Sequence, residues 1–205
     1  MSLHADEGNG FPLTRLHHFP AVLRATNLQL PIAVILSNTI YTKLDAITLI
    51  SHYLGRLRRC RGNSLPSAYA LGQAAGIGSV TSRWEKLYFN PFPMDEELDA
   101  IARLIDLPLD RLKAMLPTPG ITMQPRPVRL CAVCYAESPC HRMEWQHKVV
   151  EAVCQHHQIR LLERCPSCKA AFQVPAQWRE PKCHRCGMRF QSMAKYQAMA
   201  KAAAN

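Results

Sequence analysis

A chain of 205 residues with 48% hydrophobic side chains has room for one compact domain or two small ones, and its apolar content excludes wholesale disorder. The longest unbroken apolar run, Ile32 to Leu36, is far too short to cross a bilayer, and MSLHADEGNG lacks the basic-then-apolar pattern of a secretory signal, so a soluble cytoplasmic protein is expected. The formal net charge of +10 is uneven: residues 126–205 hold 13 of the 25 Lys and Arg but only 5 of the 15 Asp and Glu, which suggests one surface that meets a polyanion rather than a merely solvating basic face.

Residues 1–44 form an unassigned N-terminal arm. Pro12, Pro20 and Pro31 interrupt it, and the β-branched stretch Ile32, Val34, Ile35 suggests a short strand. From 45 to 117 the period is helical, and a mainly α, helix-turn-helix-like domain is expected. Ile47, Ile50, Leu54 and Leu57 share one helix face, with Arg56 and Arg59 pointing away from it, and the run Cys60-Arg61-Gly62-Asn63-Ser64 ends that helix. A second helix is expected from about Pro66 to Ala75, stopping at Gly76. A third, capped by Ser79 or Thr81, carries Trp84, Leu87 and Tyr88 inward.

Asp95, Glu96 and Glu97 suit the first turn of a fourth helix, whose inner face is Leu98, Ile101, Ala102 and Ile105. After the tight connection Asp106-Leu107, Pro108 opens a fifth with Leu109, Leu112, Met115 and Leu116. Two short helices joined so briefly resemble a helix-turn-helix. The second of them offers only Arg111 and Lys113 against Asp110, fewer donors than a base-reading helix usually presents, so a structural or protein-docking pair is the leading reading. Residues 118–128, with Pro119, Gly120, Pro125 and Pro127, read as a stiff linker, and residues 191–205 as a tail that forms a short helix or frays.

Eight of the nine cysteines fall between residues 131 and 186. Without a secretory signal, thiolate ligation of a metal is a stronger reading than a disulfide framework. Cys131 and Cys134 form a CxxC pair, followed after nineteen residues by Cys154 and His157; Cys165 and Cys168 are followed after fourteen by Cys183 and Cys186. A two-residue gap places both ligands on one side of a tight turn, and two such knuckles complete a tetrahedron around zinc, so residues 129–190 are expected to form two small tandem zinc-ribbon or zinc-finger modules. Gly187 suits the turn after Cys186. His156 beside His157, and Cys140 and His141 nearby, compete as ligands of the first centre, but only His157 gives the CxxH spacing, so Cys131, Cys134, Cys154 and His157 are the preferred set. Cys60 reads as a helix residue.

Four protein ligands per centre leave no open position for substrate, which argues for structural rather than catalytic zinc. The deaminase pattern H-x-E followed by P-C-x-x-C is missing, as are a GxxxxGK[ST] phosphate loop and the βαβ context of a dithiol redox pair. The basic residues of this part, Arg126, Arg129, Arg160, Arg164, Lys169, Arg179, Lys182 and Arg185, are the candidates for nucleic-acid contact.

The run Arg129-Leu-Cys131-Ala-Val-Cys134, then Arg142 and Trp145, then Cys154, His157 and Leu161, then Cys165-Pro166-Ser-Cys168, resembles the TniQ family, with Ala132 where proline is common. The helical stretch from Ala46 to Leu57 resembles that family's E-S-L-x-S-W-L-x-R-L helix more loosely, without the acid and the tryptophan. The resemblance implies a non-catalytic adaptor of DNA transposition. Such a protein joins the AAA+ regulator TnsC to a target-site selector, in some systems a CRISPR effector with its guide RNA, and touches DNA or RNA. The little sequence after the second zinc pair favours a short form that works with a separate selector. A stand-alone helix-turn-helix and zinc-ribbon regulator is the rival expectation.

Overall fold

The structure, a computed structural model, describes residues 48–60, 63, 65–149 and 151–199. The expected N-terminal arm with its strand, and Ile47 on the first helix face, lie outside the described residues. All described residues belong to one compact unit, Pro31–Asn205. They are mainly helical, and their only β pairing is isolated bridges.

Six α-helices occur among the described residues: α1 (Ile50–Arg59), α2 (Ala68–Ala74), α3 (Val80–Glu85), α4 (Asp95–Leu104), α5 (Leu109–Lys113) and α6 (Ala132–Glu137). The local reasons are those expected. Ser67 caps α2 by accepting from the Ala70 amide at 3.1 Å, and Gly76 at φ 75° ends the turn that follows. The acids of the first turn of α4 lie where the helix dipole favours them, and the Glu97 carboxylate accepts from the Met94 amide at 3.0 Å. Ser79 holds the expected N-cap position of α3 but makes no side-chain cap bond, and the Thr81 hydroxyl turns back to the Ala68 carbonyl at 2.5 Å.

Two apolar clusters form. Ile50, Tyr53, Leu54, Leu57, Leu71, Trp84, Leu98, Ile101, Ile105 and Leu112 make the helical core. Leu49 and Leu87 join Leu130, Tyr135, Trp145, Phe172, Trp178, Phe190 and Met193 in the core of the cysteine-rich half. The chain passes between them at the start of α1, where consecutive amides diverge: Leu49 N donates to the His141 carbonyl at 3.0 Å and Ile50 N to that of Met115 at 2.9 Å.

The polar face of α1 is covered as well. Gly55 lies so close to the Ala176 backbone that an added Cβ would stand 2.4 Å from its Cα and carbonyl oxygen. Arg59 donates to the carbonyls of Ala176 and Trp178, and Arg56 to that of Pro139 at 3.3 Å. Behind the helix, Ser51 donates to the Glu85 carbonyl at 2.7 Å, and Arg58 holds the Glu85 carboxylate through two bonds of 2.8 and 3.2 Å. Burial pushes the Glu85 pKa up and Arg58 opposes it.

The stretch expected as a linker is tied down. Gln124 N donates to Gln146 O at 2.7 Å, Lys148 N to Thr122 O at 2.8 Å, and Met123 bridges His147. Within the tail, a 3-10 turn, Gln191–Tyr196, buries Met193, and the Gln197 amide oxygen accepts from Ala132 N at 2.7 Å.

Candidate metal centres

Three of the four ligand pairs sit in one repeated hairpin. Around Cys154, Cys165 and Cys183 the first cysteine's amide donates to the carbonyl five residues on (Ile159, Ala170, Met188), each at 2.8 Å. The residue after the second ligand returns a bond to the first cysteine's carbonyl at 2.8–2.9 Å. A bridge closes each hairpin: Val153 with Arg160, Arg164 with Ala171, Lys182 with Arg189. The returning residue is left-handed in every case, at Gln158 (φ 52°), Lys169 (φ 61°) and Gly187 (φ 74°). Only Gly187 adopts that conformation without a Cβ penalty.

The Cys131 knuckle differs. Cys131 is the N-cap of α6 and Cys134 lies in its first turn, with Tyr135 N donating to Cys131 O at 3.0 Å. The reading of all four pairs as tight turns is corrected here: the first pair is presented by a helix N-terminus, where free amides favour thiolate charge.

The ligand atoms of Cys131, Cys134, Cys154 and His157 all lie within 4.8 Å of one another, as do those of Cys165, Cys168, Cys183 and Cys186. Cys134 Sγ to Cys154 Sγ is 3.5 Å, Cys131 and Cys154 Sγ each stand 3.7 Å from His157 Nδ1, and the second group has pairs at 3.6 Å. A tetrahedron with metal–sulfur bonds of about 2.3 Å has edges of about 3.8 Å, so either group could hold one metal ion with four protein ligands. All nine cysteines are free of disulfides.

Outside the sulfurs, His157 Nε2 stands 3.0 Å from Glu137 Oε1, which fixes its proton on Nε2 and turns Nδ1 toward the thiols. The pKa of His157 is raised, first by its contact with Cys154. His156, the competing histidine, faces away: its Nε2 lies 2.8 Å from Arg142 Nη1. Cys140 stays by Ser138, and the buried His141 donates from Nε2 to the Arg129 carbonyl at 3.1 Å, so neither joins the centre. Burial pushes Cys165 up to about 12, whereas the Met188 amide draws the exposed Cys186 down to about 7.

The expected nucleic-acid residues scatter. Arg129 is buried, donating to Glu163, His147 O and Gln124 at 3.2, 2.9 and 3.0 Å, so it holds the module together from inside and is removed from the surface set. Arg126 and Arg185 are exposed, Arg160 pairs with Glu151 at 3.5 Å, and Lys169 donates to the carbonyl of Pro166 at 2.8 Å. Arg164 approaches Lys169 O at 3.5 Å. Arg179 and Lys182 instead line one cavity with Arg58 and Arg59 of α1. Neither of those last two was among the expected contacts, and helical period sends Arg59 away from the apolar face of α1.

A histidine pair joins the halves. His141 N donates to His52 Nδ1 at 3.0 Å, and both rings pack edgewise on Trp178 at 5.4 and 5.8 Å. Burial lowers both pKa values, that of His141 to about 3. No helix among the described residues is long and apolar enough to cross a membrane. No protein-family model matches the chain, and no curated protein matches it either.

Proposed function

We propose that the chain is a non-catalytic, TniQ-like adaptor of DNA transposition that links a target-site selector to the AAA+ regulator TnsC, with a structural zinc ion in each centre. One observation carries the reading. Of the residues that match the family pattern without being ligands, Arg129, Arg142, Trp145 and Leu161 are buried and Pro166 is half-buried, which supports a shared framework beyond the ligands. A chance pair of CxxC motifs would not bring that framework with it.

Zinc suits the donor sets. Three thiolates with an imidazole, or four thiolates, in tetrahedral array favour this ion, and four protein ligands leave no position for water or substrate. Zinc here would supply cross-linking rather than chemistry, replacing core that hairpins of this size can hardly build. The cytoplasm would keep such thiolates reduced. The α4–α5 pair then serves as a helix-turn-helix-like docking element. With only five residues in α5, it suits protein contact better than base reading. The exposed cations meet DNA or the guide RNA of a CRISPR effector.

The test is co-sedimentation with the AAA+ ATPase of the same transposable element, with ATP and DNA, against DNA alone. Retention that requires the ATPase supports the adaptor. Tight binding to one DNA sequence, indifferent to the ATPase, replaces it with a stand-alone regulator.

A further inference from the structure

We propose that the cavity at the seam between α1 and the second metal centre, bounded by Arg58, Arg59, Arg179 and Lys182, seats backbone phosphates of a nucleic acid. The inference rests on the nucleic-acid contact of the adaptor reading and gives it a location. The cavity measures about 470 Å³ and gathers four permanent cations contributed by segments more than a hundred residues apart.

Their charges are not equally answered. Arg58 is spent on Glu85, and Lys182 reaches Glu180 at 2.7 Å. Arg59 donates only to the neutral carbonyls of Ala176 and Trp178, which fix the guanidinium while leaving its charge whole. Arg179 is exposed and has no acid within ion-pair distance among the described residues. Two guanidiniums therefore face one space whose single lining carboxylate, Glu180, is held by Lys182, and burial together with Arg58 lowers the Arg59 pKa. Such crowding disfavours the empty fold and is relieved by an anion, above all by a phosphate that accepts two parallel N–H bonds from a guanidinium.

The lining also says what is not read. Trp178, the only aromatic ring there apart from His184, is buried and donates its Nε1 to Gln173 O at 2.9 Å, so no exposed tryptophan or tyrosine face offers a base a stacking platform. Contact falls on the backbone and is indifferent to sequence. A neighbouring cavity shares Arg59 and Arg179 and adds Arg56, which extends the cationic strip along α1 toward a second phosphate.

The experiment measures fluorescence anisotropy of labelled DNA and RNA duplexes of roughly 20 base pairs, from about 50 to about 200 mM salt. Wild type is compared with Arg179→Ala/Lys182→Ala, the charge-preserving Arg179→Lys/Lys182→Arg, and Lys148→Ala, an exposed cation outside the cavity. Two retained metals per chain and an unchanged melt certify each fold. The alanine pair is expected to flatten the plot of log K against log salt by about 1.8 for DNA, about 0.9 per lost phosphate contact, while the other two variants keep the wild-type slope. The backbone whose slope changes identifies the nucleic acid. An unchanged slope in the alanine pair, or an equal change in Lys148→Ala, overturns the seat and leaves the adaptor reading standing. Absence of wild-type binding to either duplex overturns both the seat and the nucleic-acid contact, and ATPase retention still judges the rest.

Discussion

Gly55→Ala tests the docking of α1 on the cysteine-rich half. On an open helix surface, alanine in place of glycine stabilises by about 1 kcal/mol. Here the new Cβ would stand 2.4 Å from the Cα and the carbonyl oxygen of Ala176 and 2.8 Å from its carbonyl carbon. These are backbone atoms of a fully buried residue, so no side chain can swing aside. Relief requires about 1 Å of separation between helix and loop, at the overpacking cost of about 1–3 kcal/mol. That movement also strains the bonds from Arg59 to Ala176 and Trp178, each worth about 1.5–3 kcal/mol as a charged donor. Set against the propensity gain, a net loss of about 2–4 kcal/mol is expected. For a domain of this size that lowers Tm by roughly 6–12 °C. Denaturant unfolding followed by tryptophan fluorescence at fixed free metal reads it directly, and metal content should stay at two per chain because no ligand lies in either contacting segment. A variant more stable than wild type would refute the packing described for this helix.

Three further predictions are independent of that one. Gly187→Ala should cost about 1 kcal/mol through its left-handed backbone alone, since no atom lies within 4 Å of a Cβ there; a loss above about 3 kcal/mol would mean that the hairpin is closed some other way. Glu137→Gln should weaken metal retention at the first centre by about 10–100-fold against a competing chelator and leave the second unchanged, because the carboxylate orients His157 from outside. Acid should destabilise through His141: its folded pKa is depressed to about 3, so it contributes full stability above the unfolded value and loses it as pH falls below about 6.5. Between pH 7 and 5.5 that amounts to about 1.2 kcal/mol, and a His141→Gln chain should show a correspondingly flatter stability profile; an equal slope would place the titration elsewhere.

What was legible in the sequence was local. Ligands two residues apart announce a knuckle because a short turn must bring them together, and the acids before Leu98 announce a helix start, so both metal groups and all five helices in 45–117 could be read directly. The choice of His157 over His156 also followed from spacing. The rest depends on partners far along the chain. Arg59 looks solvent-facing by helical period until Ala176, 117 residues away, covers it. Arg129 looks like a surface cation until Gln124, His147 and Glu163 surround it. Residues 118–128 look like a spacer because their prolines and glycine carry no sign that the backbone of Thr122, Met123 and Gln124 pairs with the segment at 146–148. Lys169 and Gln158 hide their left-handed turns, since neither residue type demands one.

The divergence at Leu49 and Ile50 has a consequence for how the protein is maintained. One amide belongs to each half, so neither half can let go without disturbing the first turn of the helix on which the other is built. Free energy gained when metal is captured among the cysteines is thereby shared with a helical core that contains no ligand, by the linkage that makes any native-state binder a stabiliser. With an ion in either group, the stability of surfaces remote from it would depend on metal supply, and removal of the ion would loosen the helical face together with the hairpins.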